Sequence, residues 1–472
     1  MKKLIYILAV GSILIASCDK KLDVNPEQDL PTDLAFANKE NSFASLMGVY
    51  SKSQLYDVFG SLPQIIGDYQ ADNVNFAGSF PTLQDIDTYG VKSDNSNVLG
   101  IWREHFAVIV AANAVIKYVP GVADEAFTEE EKAQYVAEAK FIRAIVNFQL
   151  VNLFGQPYNF DNGASLGIPI VSEPFEGEIT YPVRATVDEV HQHIFKDLEE
   201  ALPALLQAGD FGSPETARGR ATQGAAKALM ARLHLYRGEY TEAAQLAGEV
   251  IDDPDYVLAG NHNFYDGNTA EDIFTVQNSP TDNGATSSGG WASYYNSGSN
   301  NGRGDCPFSA DLIAAFEEEA GDLRFALSRR DEAGDPLFTT KFPDATTNAD
   351  NAPLIRITEM YLIRAEALAE DGGINTESLD LMNDLRDRAN LPAWDAGDFA
   401  SDDEFIEAIL NERRKELCFE GHRRMDLLRK GKSLRTTGFG EDISAPGDPF
   451  IILPIPEAER EVNPNLDKNP GY

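Results

Sequence analysis

Cysteine is scarce in this chain: Cys18, Cys306 and Cys418 are the whole complement of 472 residues. With no CxxC pair and no Cys/His cluster at zinc-ligand spacing, neither a disulfide framework nor a structural zinc site is indicated. Histidine is scarce too. The six present form no HExxH, and His191 and His193, two apart on an expected helix, point in diverging directions. Positive charge is in short supply: 39 Lys and Arg stand against 76 Asp and Glu, a net charge of −37. A surface this acidic repels nucleic acid, anionic lipid and polyanionic glycans. Beyond the amino terminus no apolar stretch reads as a membrane span, which takes about 20 residues. No D-x-[DN]-x-[DN]-G loop occurs; the many loop carboxylates leave a calcium site of another kind open, and no other cofactor is indicated. What remains is the composition of an ordinary folded protein, 43% apolar and 24% charged. Its length suits one large domain or two ordinary ones.

The amino terminus departs from this average. Met1-Lys2-Lys3 precedes an apolar run from Leu4 to Leu14, then Ile15-Ala16-Ser17-Cys18. These are the n-region and h-region of a secretory signal, closed by small residues and a cysteine in the lipobox pattern. Residues 1–17 are therefore expected to be removed, and Cys18 to be lipidated on its thiol and its new amino group. Each buried methylene contributes about 0.8 kcal/mol, so several acyl chains anchor a protein firmly. Residues 18–31 read as an extended tether and residues 32–472 as the folded body.

Within the body, helices carry clear punctuation. Helical patterning begins near Asn41 to Tyr56. Ile101 to Val119 pairs with Thr128 to Phe154, the second opened by a Thr128/Glu131 capping box and closed at Gly155. Thr222 to Asp253 reads helix, Gly238 turn, helix. Ala226, Ala231, Gly238, Tyr240 and Ala243 fall there at tetratricopeptide-repeat positions. Thr358 to Ala369 and Asn375 to Ala389 form a related pair around Gly372-Gly373. Asp188 to Gln207 could pair with the Thr222 helix or with the irregular region before it. Three segments resist helix assignment: about 59–97, about 259–307, and Pro157 to Arg184. Structureless loops of this length in a compact body are usually functional. The tail from Pro446 carries six prolines and cannot stay helical for long.

Several blocks, in order, resemble one family. Trp102 and Asn113 share a helix. Ala137 to Ala144, followed by Leu153-Phe154-Gly155, is similar to an A-x-A-x-F-L-R-A helix ending in F-G. Thr358 to Ala367 resembles an arginine-glutamate-alanine repeat helix. Glu412 to Leu417 and Phe419 to Leu427 are close to E-R-x-x-E-L-x-F-E-G-x-R-x-x-D-L. Leu453-Pro454-Ile455-Pro456 and Asn463 to Tyr472 resemble the matching ending. With the lipobox, these blocks resemble the SusD/RagB family of Bacteroidetes outer-membrane lipoproteins. The resemblance implies a mostly α fold in which four tetratricopeptide-like helix pairs form a scaffold and the long loops carry a ligand site. It also implies a surface-facing lipoprotein that is not an enzyme. Such a protein captures nutrients, usually glycans, for a partner: a SusC-like TonB-dependent outer-membrane transporter.

A sugar site needs flat aromatic faces for pyranose rings and amide, carboxylate or guanidinium groups for hydroxyls. The second loop has this composition: Trp291, Tyr294 and Tyr295 stand among Asn296, Arg303 and Asp305. Trp291, in Ser287-Ser288-Gly289-Gly290-Trp291, is expected to face the ligand, and one of the adjacent tyrosines with it. The first loop offers Asp68, Tyr69, Asn73 and Phe76, with Asp72, Asn75, Phe80 and Tyr89 beside them. Trp102, Phe106, Ile109 and Asn113 recur at helical spacing, so Trp102 reads as core; Trp394 reads as packing. Glu412 to Asp426 reads as an ion-pair lattice and Cys418 as a buried thiol. Four functions compete: a glycan-binding lid for a transporter, the same lid binding peptides or another nutrient, a protein-binding tetratricopeptide scaffold, and a surface hydrolase. The loops favour the first, a scaffold would not need them, and no acid–base pair or metal motif supports the last. Acidity favours a neutral glycan.

Overall fold

The computed structural model describes residues 31–284, 289–331, 336–438 and 443–472. The expected leader, Cys18 and nearly all of the tether lie outside the described residues, as do Ser287 and Ser288.

Local chemistry sets where the helices begin and end. α1 (Lys39–Ser53) starts at Asn38, whose side chain accepts from Asn41 N. α2 (Leu62–Tyr69) and α3 (Pro81–Asp87) carry Pro63 and Pro81 in their first turns, where a missing N–H costs nothing. Asn95 caps α4 (Ser96–Tyr118), and the expected Thr128/Glu131 box opens α5 (Glu129–Phe154). A second box, Thr186 and Glu189, opens α6 (Val187–Ala201). α7 (Gln223–Arg237) ends at Gly238, left-handed at φ 76°, and turns into α8 (Tyr240–Ile251). α9 (Trp291–Tyr295), α10 (Ala310–Glu317), α11 (Ile357–Gly372), α12 (Thr376–Arg388), α13 (Asp402–Leu417) and α14 (Arg423–Arg429) follow. Four short strands, β1 (Asp272–Val276), β2 (Ser328–Arg330), β3 (Leu337–Thr339) and β4 (Ala352–Arg356), form two antiparallel pairs, β1 with β4 and β2 with β3.

The architecture is mostly helical, as expected. α4–α5, α7–α8 and α11–α12 pair in the way the pattern predicts, and α8 packs against α11 to join successive pairs. α6 lies chiefly on α5, with a smaller contact to α7. The main apolar cluster runs through the amino-terminal helices and the loops. A second joins α11, α12 and α13 through Leu362, Met382, Phe405 and Ile409.

Three expectations need correction. The first loop contains α2 and α3, and the second contains β1 and α9. All eight residues of α2 are buried, its polar Gln64 and Asp68 included, and Pro63 and Gly67 stand within it. Ser96–Gly121 is long and apolar enough to cross a membrane, by length and composition alone. Here it is part of the body: Trp102 is buried, its ring 5.0 Å from that of Phe154 in an edge-on contact, which makes it core as expected.

The signature segment forms a buried lattice: Arg413 pairs with Asp426 at 2.9 Å and Lys415 with Glu412 at 2.8 Å within it, whereas Glu416 and Glu420 take partners from other elements. Arg356 donates to Glu420 at 2.7 Å and to Glu271 and Glu416 at 3.1 Å. Arg388 reaches Glu416 at 2.8 Å and Lys341 reaches Glu420 at 2.8 Å. Burial works against the charged form, yet Arg356 and Lys341 hold the Glu420 carboxyl down to about 2. Cys306 and Cys418 are both buried and unbonded. Trp394 packs beneath the Arg386 guanidinium, 4.4 Å from its ring centre.

Candidate functional site

The two long loops meet. Val74 and Phe308 form a β-bridge, Asn75 N donates to Pro307 O at 3.1 Å, and Ala77 N donates to Asp305 O at 2.8 Å. Two chain segments distant in sequence thus share one surface. Asp68, at the end of α2, ties this junction to the body. It accepts from Asn73 Nδ2 at 3.0 Å and Tyr295 Oη at 2.9 Å. It also accepts from the backbone N–H groups of Phe419, at 3.3 Å, and Gly421, at 2.9 Å. Burial pushes its pKa up, and these bonds oppose the shift. Phe419 and Gly421 both lie in the left-handed region, at φ 66° and 82°. The Phe419-Glu420-Gly421 turn therefore presents its amides to Asp68 while α2 passes close by; a Cβ on Gly67 would run into the backbone of Gly421.

Most of the expected ligand residues serve this packing. Trp291 is 3% exposed; its ring lies 5.2 Å from that of Phe342 and its Nε1–H donates to Phe419 O at 3.2 Å. It presents no face to a ligand. Tyr295 is fully buried against Phe342 and Phe419. Asn296 donates to Ala292 O and Phe342 O, and Asn73 is buried between Asp68 and Arg414. Asp68 and Tyr69 have no exposed surface. The expectation that these side chains meet solvent fails for one reason. Their packing partners come from elsewhere in the chain and cover them.

What reaches the surface is a stack. Phe80 is 58% exposed. The Arg303 guanidinium sits 4.9 Å from the Phe80 ring centre and 4.0 Å from that of Tyr294. Tyr294, itself buried, shares a 2.6 Å hydroxyl–hydroxyl hydrogen bond with Tyr56. Asp305, also buried, accepts from Arg303 Nε at 2.6 Å and so fixes the guanidinium plane. Phe76 is half-buried and packs on Tyr69 with ring centres 4.8 Å apart. Gly78 is wedged between Phe76 and Asp305, where a side chain would collide with the Phe76 ring. Asn75 and Asn301 are exposed and Asn300 is half-buried; Asn300 Nδ2 donates to Asn296 Oδ1 at 2.6 Å and Asn301 Nδ2 to Thr346 Oγ1 at 3.2 Å. Asp72 is held below the usual carboxylate range: burial opposes the charge, but Arg423, bidentate at 2.6 and 2.7 Å, and Arg414 outweigh it.

Of the residues the sequence singled out, Asn75, Phe76, Phe80 and Arg303 thus retain exposed surface here, with Asp305 orienting Arg303. Tyr56 was not among them, because its partner lies 238 residues away. Phe80 carried a signal, an aromatic among Gly, Ser and Pro with few local packing partners. The arrangement offers ring faces, amides and a fixed cation, which suits recognition of a hydroxylated, apolar-faced ligand.

Two family models match the chain: residues 337–472 match the SusD family, and residues 20–235 match a family described as starch-binding associating with outer membrane. SusD-like protein P2 of Formosa agariphila is 26% identical over 540 residues, covering 100% of each chain. Starch-binding protein SusD of Bacteroides thetaiotaomicron is 29% identical over 177 residues, 36% of this chain and 29% of its own. A SusD superfamily protein from Bacteroides thetaiotaomicron superposes with a TM-score of 0.82 at 26% identity, covering 91% of this chain and 99% of that one. A laminarin-binding SusD-like protein superposes with a TM-score of 0.75 at 24% identity, covering 93% and 100%.

Proposed function

The chain belongs to the SusD family, and from that premise we propose that it captures a glycan at the cell surface. It then passes the glycan to a TonB-dependent outer-membrane barrel of the SusC type. The observation that carries the reading is the stack Phe80–Arg303–Tyr294 at the junction of the two loops, whose segments also expose Asn75 and Asn301. A pyranose ring lays its C–H face on such an aromatic, while amides and the guanidinium take its hydroxyls. Phe76 extends the platform. The net charge of −37 favours a neutral glycan over a sulfated or uronate-rich one. The relatives' names, one starch-binding and one laminarin-binding, support a glucan.

The protein acts by binding and not by catalysis. The carboxylates nearest the platform are committed to cations: Asp305 to Arg303 and Asp72 to Arg423. Lipidation of Cys18 holds it to the outer membrane, facing outward. The test is an affinity-gel and glycan-array screen of the soluble protein lacking residues 1–18, including starch, laminarin and sulfated glycans. Retention by a neutral glycan, with chain length unchanged after incubation, is expected. Binding of peptides with no glycan retained, or shortening of the glycan, would overturn the reading.

A further inference from the structure

A second cleft repeats the construction of the Phe80 stack. It opens between α1, the short helix Pro214–Gly219 and β1, and holds a space of about 530 Å³. That volume suits a small ligand or a segment of a longer one. Phe43, 37% exposed, stands on α1 in its wall. The Arg220 guanidinium lies 5.3 Å from the Phe43 ring centre and 5.5 Å from that of half-buried Phe211, within cation–π range of both. A carboxylate fixes its plane, as Asp305 does for Arg303. Glu138, fully buried, accepts from Arg220 Nε at 2.8 Å and also from its Nη2. Tyr50 donates to Glu138 at 2.7 Å and accepts from Ala221 N at 2.9 Å, which ties the clamp to α1. Half-buried Met47 and Tyr50, with Phe274 and Val276 of β1, supply apolar surface. Exposed Ser51, Glu215 and Thr216 supply hydrogen-bonding groups.

Charge and position narrow the occupant. Among the described residues, the lining's single cation is Arg220, and Glu138 neutralises it. Glu215 and Asp282 stand exposed at the cleft. Nothing in the lining attracts an anion, whereas aromatic faces beside hydroxyl and carboxylate groups suit a neutral sugar. The cleft also lies beside the first site. Gln54 lines it and closes one end by donating to Gln277 O at 2.8 Å and to Asp282 O at 3.2 Å. Two residues on, at most about 7 Å along the chain, Tyr56 shares its hydroxyl hydrogen bond with Tyr294, whose ring stacks on Arg303.

We infer that this cleft is a second glycan site, holding another stretch of the neutral glucan chain bound at the Phe80 stack. The inference rests on the glycan reading above and adds a site built from different residues. Binding at one site raises the effective concentration of the chain at the other, so a polymer gains avidity without any further contact.

The test uses the soluble protein lacking residues 1–18, run through gels containing laminarin or starch and titrated calorimetrically with laminarihexaose and maltohexaose. Phe43→Ala removes the exposed ring. Ser51→Leu crowds the cleft from a fully exposed position, so it keeps the test open if Phe43→Ala is unstable; melting temperatures report folding. Each variant should weaken retention by the polymer about fivefold or more, as loss of a stacking ring does. Calorimetry should count two hexasaccharide sites per molecule in the wild type and one in Phe43→Ala. If both folded variants are retained like the wild type, or the wild type shows one site, the cleft is not a glycan site while the Phe80 reading stands. If Phe80→Ala binds like the wild type and the cleft variants do not, the cleft is upheld and the Phe80 assignment falls. If the wild type is retained by neither polymer, the glucan reading falls and the inference with it.

Discussion

Burial separates two aromatic residues that the sequence presents alike, and a pair of truncations tests the separation. Trp291→Ala removes a ring that is 3% exposed, packed on Phe342 and hydrogen-bonded to Phe419 O. Truncating a buried tryptophan costs about 3–5 kcal/mol, part of it from stranding the carbonyl. At about 2.1 cal/mol/K per residue, a chain of 472 residues unfolds with an entropy of about 1 kcal/mol/K. The melting temperature should therefore fall by about 3–5 °C. Phe80→Ala removes a ring that is more than half exposed and should change stability by less than about 0.5 kcal/mol. It should instead cost about 1–3 kcal/mol in glycan binding, taking base-on-ring stacking as the nearest analogue. That is about five- to 150-fold in affinity. Differential scanning fluorimetry reads the first effect and affinity electrophoresis on the retained glycan reads the second. If Trp291→Ala melts like the wild type but binds glycan poorly, reasoning from burial is wrong. Wild-type binding by Phe80→Ala would remove the stack from the site.

Three further outcomes are expected. Cys18→Ala should abolish acyl labelling and release the protein from the outer-membrane fraction; unchanged association would refute anchoring there. Gly67→Ala should destabilise strongly, because the new methyl meets the Gly421 backbone; a melting temperature equal to the wild type would show that α2 can shift freely. Acid should destabilise the protein. Glu420, Glu416 and Asp426 have folded pKa values below their usual ones, Glu420 at about 2. The stability they contribute is present above about pH 4.5 and is lost as pH falls towards 2. Asp68, raised instead, works in the opposite sense, and its window lies above its ordinary value of 3.8, outside the acid range in which the lattice is lost. A melting temperature that stays flat from pH 6 to pH 2.5 would contradict the lattice as described.

Features that depend on neighbours along the chain were legible in the sequence. The Thr128/Glu131 box, the Gly238 turn and the helical spacing of Trp102, Phe106 and Ile109 involve residues within a turn or two of each other. Short-range rules therefore sufficed for these features, and for the helix pairs built on them. The ion-pair lattice was visible as charge on α13, but its partners Arg356, Arg388 and Lys341 were not, since they approach from other elements. The helix α2 was hidden because it spans only eight residues, carries Pro63 and Gly67, and buries its polar Gln64 and Asp68 against other parts of the chain. Trp291 and Phe80 both stand in Gly- and Ser-bearing stretches and read alike. Only the tertiary structure brought Phe342 and Phe419 onto the first and left the second on Arg303, facing solvent. Which ring binds and which ring packs is decided by long-range contacts, and composition carries no record of them.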